Sequence, residues 1–98
     1  MCTSIVEIVD ADGAGKGEDG EWLNLTHSVV SYDHPHHALL EEAITIDFVN
    51  RTMGRGARVA VELTLDAAKA LDAALQRAIA QAEVEEAGRR RDTARAAE

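Results

Sequence analysis

Between Thr3 and Leu63 every apolar stretch has the short, β-branched character of a strand, and no two stretches are far enough apart to hold a crossover helix. That spacing constrains the fold more than anything else in the chain. Successive strands must run antiparallel, as a meander, because a parallel return needs a connection of about a dozen residues or more. Residues 3–9 read as a first strand, with Ile5 and Val9 on one side and Val6 and Ile8 on the other. Residues 10–20 carry glycines and acids and are expected to form a flexible surface loop. A short strand is expected over 21–26, centred on Trp22, and a firmer one over 28–32. Pro35 ends it, since proline has no N–H to donate and restricts the residue before it.

Residues 42–49 alternate most clearly: Ile44, Ile46 and Phe48 share one face, Thr45 and Asp47 the other. A turn over 50–56 leads to a return strand at 57–63, with Val59, Val61 and Leu63 inward. Pairing Phe48 with Ala57 joins the apolar rows and sets Asp47 opposite Arg58. Thr64 is a plausible N-cap, and Asp66 favours the helix dipole from the first turn. Residues 65–87 then form a helix with an apolar stripe of Leu71, Leu75, Ile79 and Ala82. Gly88 is expected to stop it, leaving 88–98 as a frayed or disordered tail. The expected fold is α+β: an antiparallel meander of four or five strands with one long C-terminal helix packed on the sheet, in a single domain over 1–87.

With 98 residues and only Trp22, Tyr32 and Phe48 as aromatics, the core must be small and aliphatic. A homo-oligomer, which buries more apolar surface, is therefore expected. The net charge of −8 repels phosphate backbones and anionic membrane surfaces, so neither nucleic acid nor a membrane is an expected partner. No apolar run reaches the ~20 residues of a membrane span. The start Met1-Cys2-Thr3-Ser4-Ile5 lacks the basic, then apolar, pattern of a signal peptide, and one cysteine makes no internal disulfide. A cytoplasmic location is expected.

All four histidines, His27, His34, His36 and His37, lie within eleven positions, beside Asp33, Glu41 and Glu42. Imidazole and carboxylate together suit zinc, nickel, iron or copper. The candidate metal ligands are His34, His36, His37, Glu41 and Glu42, with Asp47 on the next strand as another carboxylate within range. Without metal, the same groups could move protons: His34 or His37 as general base, with Asp33 or Asp47 as its partner. The chain then reads as a binder of a small ligand or divalent metal, as a small cyclase, isomerase or hydrolase acting on a metabolite, or as a structural partner protein whose loop is merely solvated. Both chemical readings require His34, His36 and an acid to converge.

Other patterns are weaker. Gly15 to Gly20 spells G-x-G-x-x-G, but Glu18 and Asp19 would repel a phosphate and no helix opens there. Asp10 to Glu21 is spaced like a calcium loop, yet Ala14 stands where an oxygen ligand is needed. Arg89 and Arg90 can pair with Glu85 and Glu86 on a solvated helix. Removal of Met1 would expose Cys2 as an N-terminal chelator or nucleophile.

The segments Met1-Cys2-Thr3, Gly15-Lys16-Gly17, Tyr32-Asp33-His34-Pro35 with His37-Ala38, Ile46-Asp47-Phe48-Val49-Asn50, and Ala57 through Leu63 resemble a small uncharacterised actinobacterial family, a domain of unknown function. The resemblance covers roughly residues 1–80. In the family's pattern a histidine stands where this chain has Glu42, and His36 falls at a variable position. The resemblance thus centres a shared site on Asp33, His34, His37, Glu41 and Asp47, and implies a compact cytoplasmic protein without assigning a reaction.

Overall fold

A computed structural model describes residues 5–54 and 56–96. Four strands, β1 (Val6–Lys16), β2 (Trp22–Asp33), β3 (Ala43–Val49) and β4 (Arg58–Leu63), precede one helix, α1 (Leu65–Ala96). The strands form a single antiparallel sheet in sequential order, the meander that short connections dictate. The chain divides into two compact units, Met1–Leu65 and Asp66–Glu98.

The first hairpin is longer than the sequence reading has it. The expected loop over 10–20 is mostly strand: β1 continues to Lys16, with a bulge-type shift in register between Asp10 and Gly13. A tight turn, in which Gly20 N–H donates to the Gly17 carbonyl and Gly17 N–H to that of Glu21, makes the reversal. Gly20 takes φ +80°, which an L side chain rarely adopts. The glycine-rich stretch stays extended partly because the sheet curls. A Cβ at Gly15 would lie 3.2 Å from Val59 Cγ2 on β4 and 3.4 Å from Leu25 Cδ2. Glycine thus marks a close approach there rather than a loop. At the hairpin end, Lys16 lies over its cross-strand partner Trp22, 5.7 Å from the ring centroid.

The two strands expected over 21–26 and 28–32 are one. His27 joins them, pairing with Asp10 on one side and Val49 on the other. Between β3 and β4 the register differs by two residues from expectation: Phe48 opposes Val59, Asp47 opposes Ala60, and Val49 opposes Arg58. A shift of two keeps every side chain on its face, so periodicity alone could not fix it. The turn fixes it. Asn50, almost fully buried, donates from Nδ2 to the Asn24 carbonyl and accepts at Oδ1 from both the N–H and the hydroxyl of Thr52. Asn50 N–H donates to the Ala57 carbonyl, so Ala57 belongs to the turn.

The register places Tyr32, Val30 and Ser28 in rows with Ile44, Ile46 and Phe48, and these with Leu63, Val61 and Val59. The opposite face carries Ser31, Thr45 and Glu62 in one row and Val29, Asp47 and Ala60 in the next. Ala43 is the one buried hydrophobic residue among those described, joined by the polar Ser28 and Asn50.

The helix passes Gly88 and reaches Ala96, so the expected frayed tail is helical over 89–96. Gly88 is not among the glycines with positive φ and forms no C-cap. One helical glycine costs only about 1 kcal/mol, and it is flanked by the strong helix formers Glu85, Glu86, Ala87 and Arg89–Arg91. Residues 97–98 and 1–4, with Cys2 and the start of the first expected strand, lie outside the described residues.

Candidate functional site

Proline at position 35 detaches the chain from the ladder after Asp33, and the loop over 34–42 that follows is fastened at two points. Its base is closed by His34. The backbone N–H of His34 donates to Asp33 Oδ1 at 2.7 Å. Its ring Nδ1 lies 3.0 Å from the Glu41 carbonyl and 3.1 Å from Glu42 Oε1. With Nδ1 protonated, one N–H serves both acceptors. The Glu41 carbonyl first, and then the Glu42 charge, raise the His34 pKa above the ordinary imidazole value.

The tip is held by Glu62, the last residue but one of β4. Its carboxylate accepts three consecutive backbone N–H groups: His36 at 2.5 Å, His37 at 3.0 Å and Ala38 at 2.8 Å. These donors, Ala38 foremost, pull the Glu62 pKa below the usual carboxylate range. Consecutive amides converging on an anion form the concave arrangement that binds carboxylates and phosphates elsewhere, and here the chain supplies its own anion.

Under the loop, the polar face of the sheet forms one side of a cleft of about 640 Å³. Asp47 and Arg58 lie along it, with His36 and His37 from the loop and the hydroxyls of Ser31 and Thr45 between. Those two hydroxyls bond to each other at 2.5 Å across β2 and β3. Asp47 and Arg58 lie on the same face, two positions apart along the ladder, and neither side chain makes a hydrogen bond or ion pair among the described residues. The expected direct opposition of these two charges is replaced by a diagonal one, at roughly 7–8 Å between backbone positions.

The sequence-derived site is thus partly assembled. Asp33, His34, His36, His37 and Asp47 all border the cleft. His34, Glu41 and Glu42 form a separate cluster at the base of the loop. The metal set of His34, His36, His37, Glu41 and Glu42 is not brought together, and no group of three or more His, Cys, Asp or Glu suited to a metal ion occurs among the described residues. The reason is local. Glu42 faces His34, Glu41 contributes its carbonyl, and the tip of the loop turns to Glu62. The convergence of His34 and His36 on a common acid does not occur: His34 meets Glu42, while His36 reaches Glu62 through its backbone. His27 stands apart, 3.5 Å from Asp10 and 2.9 Å from the Thr26 hydroxyl.

Sequence reasoning missed Glu62. An acid on the outward face of a strand reads as a solvated charge, and nothing local to β4 announces a contact 24 residues away. Arg58 was legible only as a cross-strand partner.

The fold and cleft define an α+β protein with a polar, loop-bordered cleft on a four-stranded meander. A family model described as a family of unknown function (DUF6295) matches residues 1–88, and the chain belongs to that family. No curated protein and no solved structure matches the chain. No helix among the described residues is long and apolar enough to cross a membrane.

Proposed function

We propose that this chain is a small-ligand-binding protein whose site is the cleft between the loop at 34–42 and the polar face of the sheet. The observation that carries this reading is the double fastening of the loop. Glu62 at the tip and His34 at the base hold one loop conformation beside unengaged polar groups. A site held in shape before binding loses less entropy when the ligand arrives. The separation of the metal ligands into two clusters favours an organic ligand over a divalent metal. The scarcity of buried apolar side chains supports a self-associating chain; a sedimentation mass equal to one chain removes that part. The single cysteine is in keeping with a cytoplasmic setting.

The test is an amide chemical-shift screen of the full chain against a library of small polar metabolites. Selective shifts at His36–Ala38, Thr45, Asp47 and Arg58 are the expected result. A library that leaves those amides unmoved sinks the reading. With His34 and His36 held apart, the acid–base reading that requires both to converge falls away. What is left of it is a second reading that rests on His37 and Asp47 alone, which border the same cleft: an acid–base enzyme of the cyclase, isomerase or hydrolase type. It requires that a ligand found in the screen be turned over, and that His37→Gln abolish turnover while leaving binding in place.

A further inference from the structure

The charged groups of the cleft divide by whether the protein already uses them. Glu62 is occupied by three backbone amides, and Asp33 by the His34 amide. The Asp47 and Arg58 side chains remain without a hydrogen bond or ion pair among the described residues. They carry opposite charge, share one face of the sheet, and are offset by two positions on adjacent strands. The carboxylate is on a short arm and the guanidinium on a long one. Roughly 7–8 Å between such backbone positions is within reach of a long side chain, yet the two charges stay unpaired and both border the same cleft, open to a small molecule that engages them together.

A singly charged ligand would satisfy one of these groups and leave the other unmatched beside it. A purely anionic ligand would meet Asp47, and a purely cationic one would meet Arg58; like charges brought together oppose binding. A ligand with an ammonium and a carboxylate a few bonds apart satisfies both. The planar guanidinium offers paired N–H donors that match a carboxylate, and the Asp47 carboxylate accepts from an ammonium. The Ser31 and Thr45 hydroxyls, each able to donate and accept, lie near the same face without adding charge.

We infer that the cleft selects a zwitterion of the α-amino acid class, with Arg58 reading its carboxylate and Asp47 its ammonium group. This inference rests on the cleft being a ligand site. It adds which chemical class enters and which two side chains discriminate it.

The experiment uses the full-length chain and the twenty proteinogenic amino acids, each followed by amide chemical shifts and titration calorimetry. Every amino acid that binds is compared with its decarboxylated amine and its deaminated acid. The expected result is that at least one amino acid binds at the cleft, and that both truncated forms bind at least about ten-fold more weakly, as loss of a charge-assisted contact implies. Asp47→Asn should bring the deaminated acid to parity with the amino acid. Arg58→Gln should do the same for the amine. Both positions are solvent-facing enough that the variants fold, which amide spectra check directly. Equal binding of acid and amino acid by the unaltered protein overturns the inference, as does failure of all twenty to bind. If other metabolites from the broader screen still shift the cleft amides, the ligand-binding reading survives and the zwitterion class alone is lost.

Discussion

The carboxylate of Glu62 on β4 accepts the backbone N–H of Ala38 at 2.8 Å, joining the strand to a loop 24 residues earlier in the chain. The same carboxylate accepts the amides of His36 and His37, so one side chain satisfies three donors that Pro35 and the turning backbone have taken out of the ladder. Replacing it by glutamine removes the charge and turns one acceptor oxygen into a donor that faces N–H groups. The Glu62→Gln protein should stay folded, since the side chain is no part of the apolar rows, but its His36–Ala38 amides should exchange with solvent several-fold faster. Hydrogen exchange followed by NMR measures this. Unchanged protection at those three amides would show that the loop is held by something else.

The two fastenings respond to pH from opposite sides. Glu62 has a lowered pKa, so its contribution is present above the ordinary carboxylate value and disappears as pH falls through the lowered one. His34 has a raised pKa, so its contribution is complete below the ordinary imidazole value and disappears as pH rises through the raised one. The loop should be most firmly held in mildly acidic solution, between those limits. An NMR titration should show the His34 ring titrating above an unperturbed histidine. The His36–Ala38 amides should move together only at acid pH, when Glu62 gains its proton. Glu42→Gln should lower the His34 midpoint without returning it to the ordinary value, because the Glu41 carbonyl is the larger cause.

The meander was legible because alternation and loop length are local properties. Ile44, Ile46 and Phe48 announce a half-buried strand by themselves, and the distance from Val49 to Arg58 permits only an antiparallel return. The register was not legible. Any shift by two residues preserves the apolar rows, and the choice is made by Asn50, whose bonds to Asn24 and Thr52 do not appear in any hydropathy pattern. Gly13 and Gly15 misled for a similar reason: glycine signals a loop, a bulge and a close approach alike, and only the register shift before Gly13 and the curl that brings Val59 near Gly15 separate them. At the site, the His-rich loop stood out by composition, whereas its relation to Glu62 depends on a fold-level juxtaposition.

Asn50 should prove among the most sensitive positions of the sheet. The residue is 6% exposed, and its side-chain amide makes one donated and two accepted hydrogen bonds. Asn50→Ala removes the one buried side chain that ties the Asn24 carbonyl to the Thr52 donors, in a turn whose residues 51–54 are exposed. A loss of about 1–3 kcal/mol is expected for three hydrogen bonds at about 0.5–1.5 kcal/mol each, water replacing part of them. Urea denaturation monitored by Trp22 fluorescence measures it. Asn50→Asp should also destabilise, because it keeps the acceptor for Thr52 but sets a carboxylate oxygen against the Asn24 carbonyl. A stability within experimental error of the parent for Asn50→Ala would mean that the turn is fixed by its backbone bonds alone.

Gly15 tests the curl of the sheet. A Cβ there would sit 3.2 Å from Val59 Cγ2 and 3.4 Å from Leu25 Cδ2, so even alanine obliges those side chains to give way by a few tenths of an ångström. Valine, which an open strand position would favour, adds two methyl groups where β1 meets β4 and should cost about 1–3 kcal/mol by overpacking. Gly13→Ala is the control, since nothing lies within 4 Å of its Cβ position and the residue belongs to the same strand. A chain whose curl is as described tolerates the change at 13 and is destabilised by Gly15→Val, with the midpoint of urea unfolding as the measure. Equal tolerance at both positions would require that the end of β1 stand clear of β4, and the close approach of Gly15 to Val59 would then no longer explain why glycine occupies that strand.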